Sequence, residues 1–343
     1  MLLTGFADII DPRSWPLMST AGYAFPVFFF LNFVMLVAWT FVGFKYLAVP
    51  LVGFIICYSP VMKYCPFNME REVPEGSLKV LTLNTWLFVT GGVDESCDNR
   101  DSVIIENQKK LITYLKNQKC DIICLQEALI NDNINALLDD IIKPEMRYRD
   151  SISTSGNSLV LISRYPIIRK EKIKYESTGN LSGAFYVSVK GKEVIVINNH
   201  LESNHFSEEE KTAFHVMAKG NLDNKDMKTE SKFILRKLAD AAVLRAPEAD
   251  AVASFIRMHK GRPMILCGDF NDIPISYCHR TIAKELTDCY SEVGNGPGFS
   301  YHKNAMYVRI DNIMCSEHFT PYSCDVDKSF GISDHYAIIS YLK

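Results

Sequence analysis

An α/β domain of packed, helix-flanked sheets, preceded by an apolar helical hairpin, is the architecture this sequence predicts. Three observations carry the prediction. Charge is unevenly spread: residues 1–62 hold only Asp8, Asp11, Arg13 and Lys45, and the remaining 35 basic and 38 acidic side chains follow. Short apolar runs ending in polar residues recur through the charged part, separated by stretches of helical periodicity. Several of these runs succeed one another without an intervening helix, so antiparallel neighbours are expected beside parallel ones.

The front end comes first. Between Arg13 and Lys45 lie 31 residues without a charged side chain, and between Lys45 and Lys63 another 17. Because about 20 apolar residues cross a bilayer, residues 1–66 read as a membrane region with helices over about 23–44 and 46–62. Pro50 and Pro60 sit near the ends of the second run, and Lys45 can snorkel at the turn. A cleaved signal peptide would begin with basic residues, whereas the first charge here is Asp8 and the apolar stretch is doubled. Arg13, Lys63 and Arg71 flank the hairpin ends against Lys45 alone in the turn, which leans towards a cytoplasmic soluble part, and an apolar Met1–Ile10 belonging to a further span would reverse that. The punctuated stretch 67–78 reads as a linker and 79–343 as the soluble domain.

Along that domain KVLTLNTW reads as a strand. DSVIIENQKKLITYLKNQK follows as a helix with Ile104, Leu111, Ile112 and Leu115 on one face. CDIICLQE is a buried strand and INDNINALLDDIIK a helix stopped by Pro144. SLVLISRYPIIRKEKIKY and AFYVSVKGKEVIVINNHLES give strands with a turn at Gly191. Residues 207–258 are helix-forming, with a break around NLDNKDMK, and RPMILCGDFND, YVRIDNIMCS and DHYAIISYL are three further strands. Lys170, Lys172 and Lys174 alternate as a solvated strand face. Arg245 and Arg280 suit either a clamp on substrate phosphate or a carboxylate partner. The ten cysteines are scattered, three of them in strand-like runs, so they suit a reduced core better than a disulfide framework or a zinc site. The net charge, 37 − 40 = −3, provides no global polycation for nucleic acid.

The informative pattern is the placement of acids and amides at the C-terminal tips of apolar strands: Asn84, Glu127, His200, Asp269 with Asn271, and Asp311. A carboxylate in such a place is costly to desolvate alone, so convergence of five strands implies a shared cation or hydrogen-bond network. Oxygen donors without a cysteine or histidine cage suit Mg2+, with Mn2+ as substitute, better than zinc. A hard divalent ion beside a carboxylate is the apparatus of phosphoester chemistry.

TLNTW, LQE, LVLISRYP, NNHLES, GDFNDIP, RIDNI and SDHY, in this order, resemble the endonuclease/exonuclease/phosphatase superfamily, the DNase-I-like phosphohydrolases, over roughly Lys79–Lys343. Within it the chain looks most like the bacterial membrane-anchored members. The resemblance implies a four-layered αββα sandwich with the site at one edge of two sheets. By motif it implies Asn84, Glu127 and Asp334 as metal ligands, Asp269 orienting or deprotonating the attacking water, and Asn271 holding the phosphoryl group. His200 and His335 would donate to phosphate oxygens, the latter held protonated by Asp311, as a neighbouring carboxylate would do on physical grounds alone. The implied activity is divalent-metal-dependent hydrolysis of a phosphodiester or phosphomonoester at the membrane. Expected substrates are a phospholipid or inositol phosphate headgroup, with nucleic acid as the alternative. A different class of function, a non-catalytic membrane adaptor keeping the fold, would be expected to lack some of these ligands.

Overall fold

The computed structural model describes residues 1–94, 96–142, 146–207, 209–212, 216 and 224–343. Twelve strands among them form two six-stranded mixed sheets. The first runs in the order β11 (Pro321–Asp327), β12 (Ala337–Leu342), β1 (Leu78–Asn84), β2 (Ile122–Gln126), β4 (Ser158–Ser163), β3 (Tyr148–Ser153). The second runs β5 (Ile167–Ile173), β6 (Leu181–Val189), β7 (Lys192–His200), β8 (Met264–Asp269), β10 (Asp311–Cys315), β9 (Thr287–Asp288).

Alternation along each strand divides the core into layers. Val80 of β1, Ile122 and Cys124 of β2, Val196 of β7, Ile265 and Cys267 of β8 and Ile338 of β12 fill the space between the sheets. Leu81 and Leu83 point the other way, onto helices Arg100–Asn117 and Asp132–Ile141. On the far side Ile195, Ile197 and Leu266 meet helices Asn224–Met258 and Tyr277–Ile282 through Val252, Ile256 and Cys278. Helix, sheet, sheet, helix is the αββα sandwich. All ten cysteines are free and eight are buried, as befits small apolar core fillers. The Lys170 ammonium pairs with Asp150 of β3, the edge strand of the other sheet, at 2.5 Å on an exposed face. The break expected at NLDNKDMK lies partly outside the described residues, and the helix is already formed at Asn224. Pro144 also lies outside them.

The front end differs from two straight spans. Helical turns from Pro16 lead into helix Phe25–Val42, and this Pro16–Val42 run is long and apolar enough to cross a membrane. The second run is broken: Phe44–Ile56 and Tyr58–Tyr64 meet at an angle of 67°, with Cys57 as the corner. The reason is competition for the last turn. Cys57 packs with Phe25 and Ile275 of the soluble domain, and Val61 and Tyr64 pack alongside, so Tyr58–Tyr64 leaves the direction of the hairpin. Residues 67–78 also touch the sandwich, Asn68 donating to the carbonyl of Gly294 at 2.8 Å.

One internal charge gives the fold a pH dependence. Glu248, buried on the long helix, accepts the Glu202 backbone N–H at 2.7 Å, and burial pushes its carboxyl up to about 7 from an ordinary value near 4.5. Between those values the folded chain keeps a proton that the unfolded chain releases, so this group's contribution to stability is present below about pH 4.5 and declines as pH rises to 7. Thermal unfolding in detergent at pH 5 and pH 8 tests this. Glu248→Gln keeps an acceptor for the Glu202 amide and is expected to lose less stability between the two pH values than the parent, by about 2–3 kcal/mol. Identical pH profiles would refute the assignment.

Candidate active site

The sheet registers bring the polar tips to one rim. Parallel pairing aligns His200 of β7 with Asp269 of β8, and antiparallel pairing aligns Asp311 of β10 with Asp269 on its other side. In the facing sheet, Asn84 of β1 aligns with Gln126 of β2, immediately before Glu127. Asp311 opens its strand rather than closing it, and Asp334 and His335 precede β12. This corrects the expectation that Asp311 caps a strand's C-terminus. Because β10 and β12 run antiparallel to β8 and β1, their starts reach the same rim as the other strands' ends.

Local backbone aims the groups. Glu127 and Asn271 follow their strands in the left-handed region, with φ of 50° and 52°, an uncommon conformation for residues with a Cβ. Residues Trp86 to Val89 form a full left-handed turn after Asn84, held by Thr85 Oγ1, which accepts the Phe88 N–H at 3.1 Å. That turn costs about 1–2 kcal/mol per residue, offset in part by burial of Phe88 and Val89.

Asp269 is the hub. Its Oδ2 accepts Asn84 Nδ2 at 3.0 Å, its Oδ1 accepts the Asn271 N–H at 2.7 Å, and His335 Nε2 and His200 Nε2 stand 3.7 and 3.8 Å from Oδ2. Burial, and then the Asp311 charge, raise its carboxyl above the ordinary range, with both histidines opposing. His335 Nδ1 meets Asp311 Oδ2 at 2.7 Å. Burial alone would lower that imidazole, but the Asp311 and Asp269 charges win and hold it well above the usual histidine value. Asp334 is pushed up to about 6, first by burial, with Glu127 adding to the rise.

Asn157, on the loop before β4, was not singled out by sequence reasoning. Its Oδ1 accepts the Ser158 N–H at 2.7 Å, which leaves Nδ2 to meet His200 Nδ1 at 2.5 Å. With Nδ1 accepting, the His200 proton sits on Nε2, aimed at Glu127 Oε1 3.5 Å away. Beneath this layer Gln126 Nε2 donates to Asn198 Oδ1 at 2.6 Å and so bolts the sheets together. Asn271 Nδ2 donates to the Leu201 carbonyl at 2.9 Å, tying the GDFND loop to the NNHLES loop. Arg245, fully buried, serves the same two loops through Asp272 at 3.4 Å and the Glu202 carbonyl at 2.7 Å. Arg280 stands 3.7 Å from Asp8. Carboxylate partners therefore account for both arginines.

Four carboxylates (Glu127, Asp269, Asp311 and Asp334) share this rim with two histidines, and Asp311 Oδ1, buried, has no hydrogen-bond partner among the described residues. Such a donor set fits a hard divalent cation. Asp269, Asp311 and His335 are close enough to hold one together, but His335 Nδ1 is committed to Asp311 and the ring is held protonated, which leaves no lone pair for a metal. Glu127, with its carboxylate partly open to the cleft and Asp334 as a charged neighbour, is the better-placed ligand. Asn84 turns its Oδ1 to the Trp86 N–H at 3.0 Å and its Nδ2 to Glu127 at 3.1 Å. In this arrangement its Nδ2 orients the carboxylates, while Oδ1 keeps a second lone pair.

The Endonuclease/Exonuclease/phosphatase family profile matches residues 81–335, and the profile of a domain of unknown function, DUF8431, matches residues 1–64. A search among curated proteins finds no match. Among solved structures, the human Nocturnin catalytic domain with bound sulfate anion is similar with a TM-score of 0.53 and 15% identity, covering 80% of this chain and 97% of that one. A humanized D. rerio TDP2 is similar with a TM-score of 0.51 and 15% identity, covering 78% of this chain and 99% of that one. At such identities the likeness is one of fold. With the family profile spanning most of the sandwich and its motifs meeting at a single rim, the chain belongs to the endonuclease/exonuclease/phosphatase family.

Proposed function

We propose that this protein is a membrane-anchored, divalent-metal-dependent phosphoesterase that hydrolyses its substrate by in-line attack of water. The observation that carries the reading is Asp269, whose Oδ2 has the Nε2 atoms of two histidines at 3.7 and 3.8 Å. Glu127, with Asp334 beside it, would hold Mg2+ or Mn2+, which would supply positive charge against the charge developing on the phosphoryl oxygens. Asp269 takes the proton of the attacking water, its basicity enhanced by burial and by Asp311. His200 and His335 donate from Nε2 to the non-bridging oxygens, Asn157 and Asp311 fixing their rings from behind. Asn271, locked to Leu201, holds the loop beside the phosphoryl group. The Pro16–Val42 helix and the bent pair after it provide the anchor.

Full-length protein in detergent is expected to hydrolyse bis(p-nitrophenyl) phosphate with Mg2+, to lose at least about 100-fold in rate with EDTA, and to recover with Mg2+ or Mn2+. Glu127→Gln is expected to raise the Mg2+ concentration for half-maximal rate at least about 10-fold. Absence of any EDTA-sensitive turnover on phosphoesters would favour the adaptor instead.

A further inference from the structure

The outward face of residues 1–24 is mostly apolar. Leu2, Leu3, Ile9, Trp15, Leu17 and Met18 point outward, Leu3 being 81% and Trp15 67% exposed, while Thr4, Asp8, Ser19 and Thr20 are buried. Asp8, 2% exposed, is neutralised from within by Lys63 at 2.6 Å. Apart from exposed Arg13 and Ser14 and half-exposed Asp11, polar groups suited to a headgroup layer, the segment hides its polar groups and shows its apolar ones, as fits an apolar surrounding. It runs directly into helix Phe25–Val42, so the surrounding is the bilayer in which that helix sits.

This collar is seated on the catalytic rim. Tyr23 donates to Asp272 Oδ1 at 3.1 Å, one residue beyond Asn271. Gly22 lies so close to the Ile275 carbonyl that a Cβ there would stand 2.2 Å from the oxygen. Arg13 pairs with Asp250 of the long helix at 2.7 Å, and Arg309, two residues before Asp311, donates to the Lys63 carbonyl at 2.8 Å. Ile275 packs on Phe25, where the membrane helix begins. Ile275 lies four positions beyond Asn271, a span of at most about 14 Å, and the headgroup layer on each face of a bilayer is about 5–8 Å deep. A small apolar cavity of about 50 Å³ bridges the two, walled by Tyr23 and Pro26 on the anchor and by Ile273, Phe299 and Tyr307 on the sandwich. Phe299 leads through Ser300, whose Oγ accepts the Asp311 N–H at 3.1 Å, to Tyr301, edge-on to His335 at 5.2 Å. Contiguous residues thus connect the cavity beside the membrane helix to His335.

We propose that residues 1–24 are an interfacial collar that lies in the bilayer and holds the catalytic rim at headgroup depth, so that the substrate is a phosphoester carried by a membrane lipid. This rests on the phosphoesterase reading and names its substrate class.

The test uses the full chain reconstituted with Mg2+ in vesicles of phosphatidylcholine, phosphatidylglycerol, sphingomyelin and phosphatidylinositol phosphate, products being read by phosphorus NMR. Water-soluble glycerophosphodiesters of the same headgroups and bis(p-nitrophenyl) phosphate serve as parallel substrates. At least one vesicle lipid is expected to turn over 100-fold or more faster than its soluble counterpart. The combined variant Leu3→Glu, Trp15→Glu, Leu17→Glu, which alters only outward-facing side chains, is expected to lose at least 10-fold on vesicles while keeping its rate on the aryl diester. Aryl turnover with no vesicle lipid consumed, equal rates on lipid and soluble headgroup, or an unaffected collar variant would each overturn the inference and leave the phosphoesterase reading standing. Failure on the aryl diester and every other phosphoester would remove both.

Discussion

Asp269→Asn is expected to lower turnover by about 10³-fold or more while leaving the protein folded. The substitution keeps shape and removes the one group able to take a proton from water at the hub of the rim. Folding should survive for a stated reason. Burial and the neighbouring Asp311 already make the Asp269 charge costly, as the upward shift of its carboxyl shows, so a neutral isostere relieves repulsion. Unfolding temperature in metal-free buffer is therefore expected to be unchanged or higher, and turnover with Mg2+ nearly absent. His335→Gln is the companion test. An alanine there would strand the buried Asp311 carboxylate without its 2.7 Å partner, mixing lost chemistry with a lost ion pair. Glutamine can still donate to Asp311 but carries no dissociable proton, and it is expected to cost about 10²–10⁴-fold in rate. Wild-type turnover in either variant would refute the roles given to these residues, and a collapse of folding in Asp269→Asn would refute the electrostatic account.

The strands were legible in the sequence because most are buried on both faces and read as unbroken apolar runs, such as IICLQ and MILCGD. The polar groups ending those runs were legible for the converse reason: nothing apolar could replace them. Strand direction was not legible, because an apolar run looks the same from either end. Asp311 therefore passed for a C-terminal tip when it opens an antiparallel strand. Asn157 left no signal, since an asparagine between glycine and a strand reads as a turn residue and its partner lies 43 positions away. Helix break and collar were missed together. Hydropathy reports how apolar a segment is but not which way its side chains face, so neither the 67° corner at Cys57, where the chain packs on Ile275, nor the outward Trp15 and Leu17 can be read from it.

Gly268→Ala is expected to damage the protein more than any exchange of a solvent-facing residue, although it adds one methyl group. Gly268 lies in β8 at φ 139°, and a Cβ there would sit 2.1 Å from the Asn199 carbonyl oxygen and 2.7 Å from its nitrogen. Backbone, unlike a long side chain, cannot swing away. The alanine must force β7 from β8 where His200 and Asp269 are paired in register. A loss of stability above about 3 kcal/mol is expected from the combined strain and clash. Surviving folded protein should turn over poorly with Mg2+, because a shift of about 1 Å between catalytic groups can cost about 100-fold. Gly191→Ala separates the two contributions: Gly191 also has positive φ, 83°, but meets nothing within 4 Å of an added Cβ. Its cost should be only the conformational one, about 1 kcal/mol, with turnover unchanged. Equal losses at the two positions would mean that backbone conformation alone governs both. A large gap would place the difference in the contact with Asn199, which is why the first residue of the GDFND motif has no side chain.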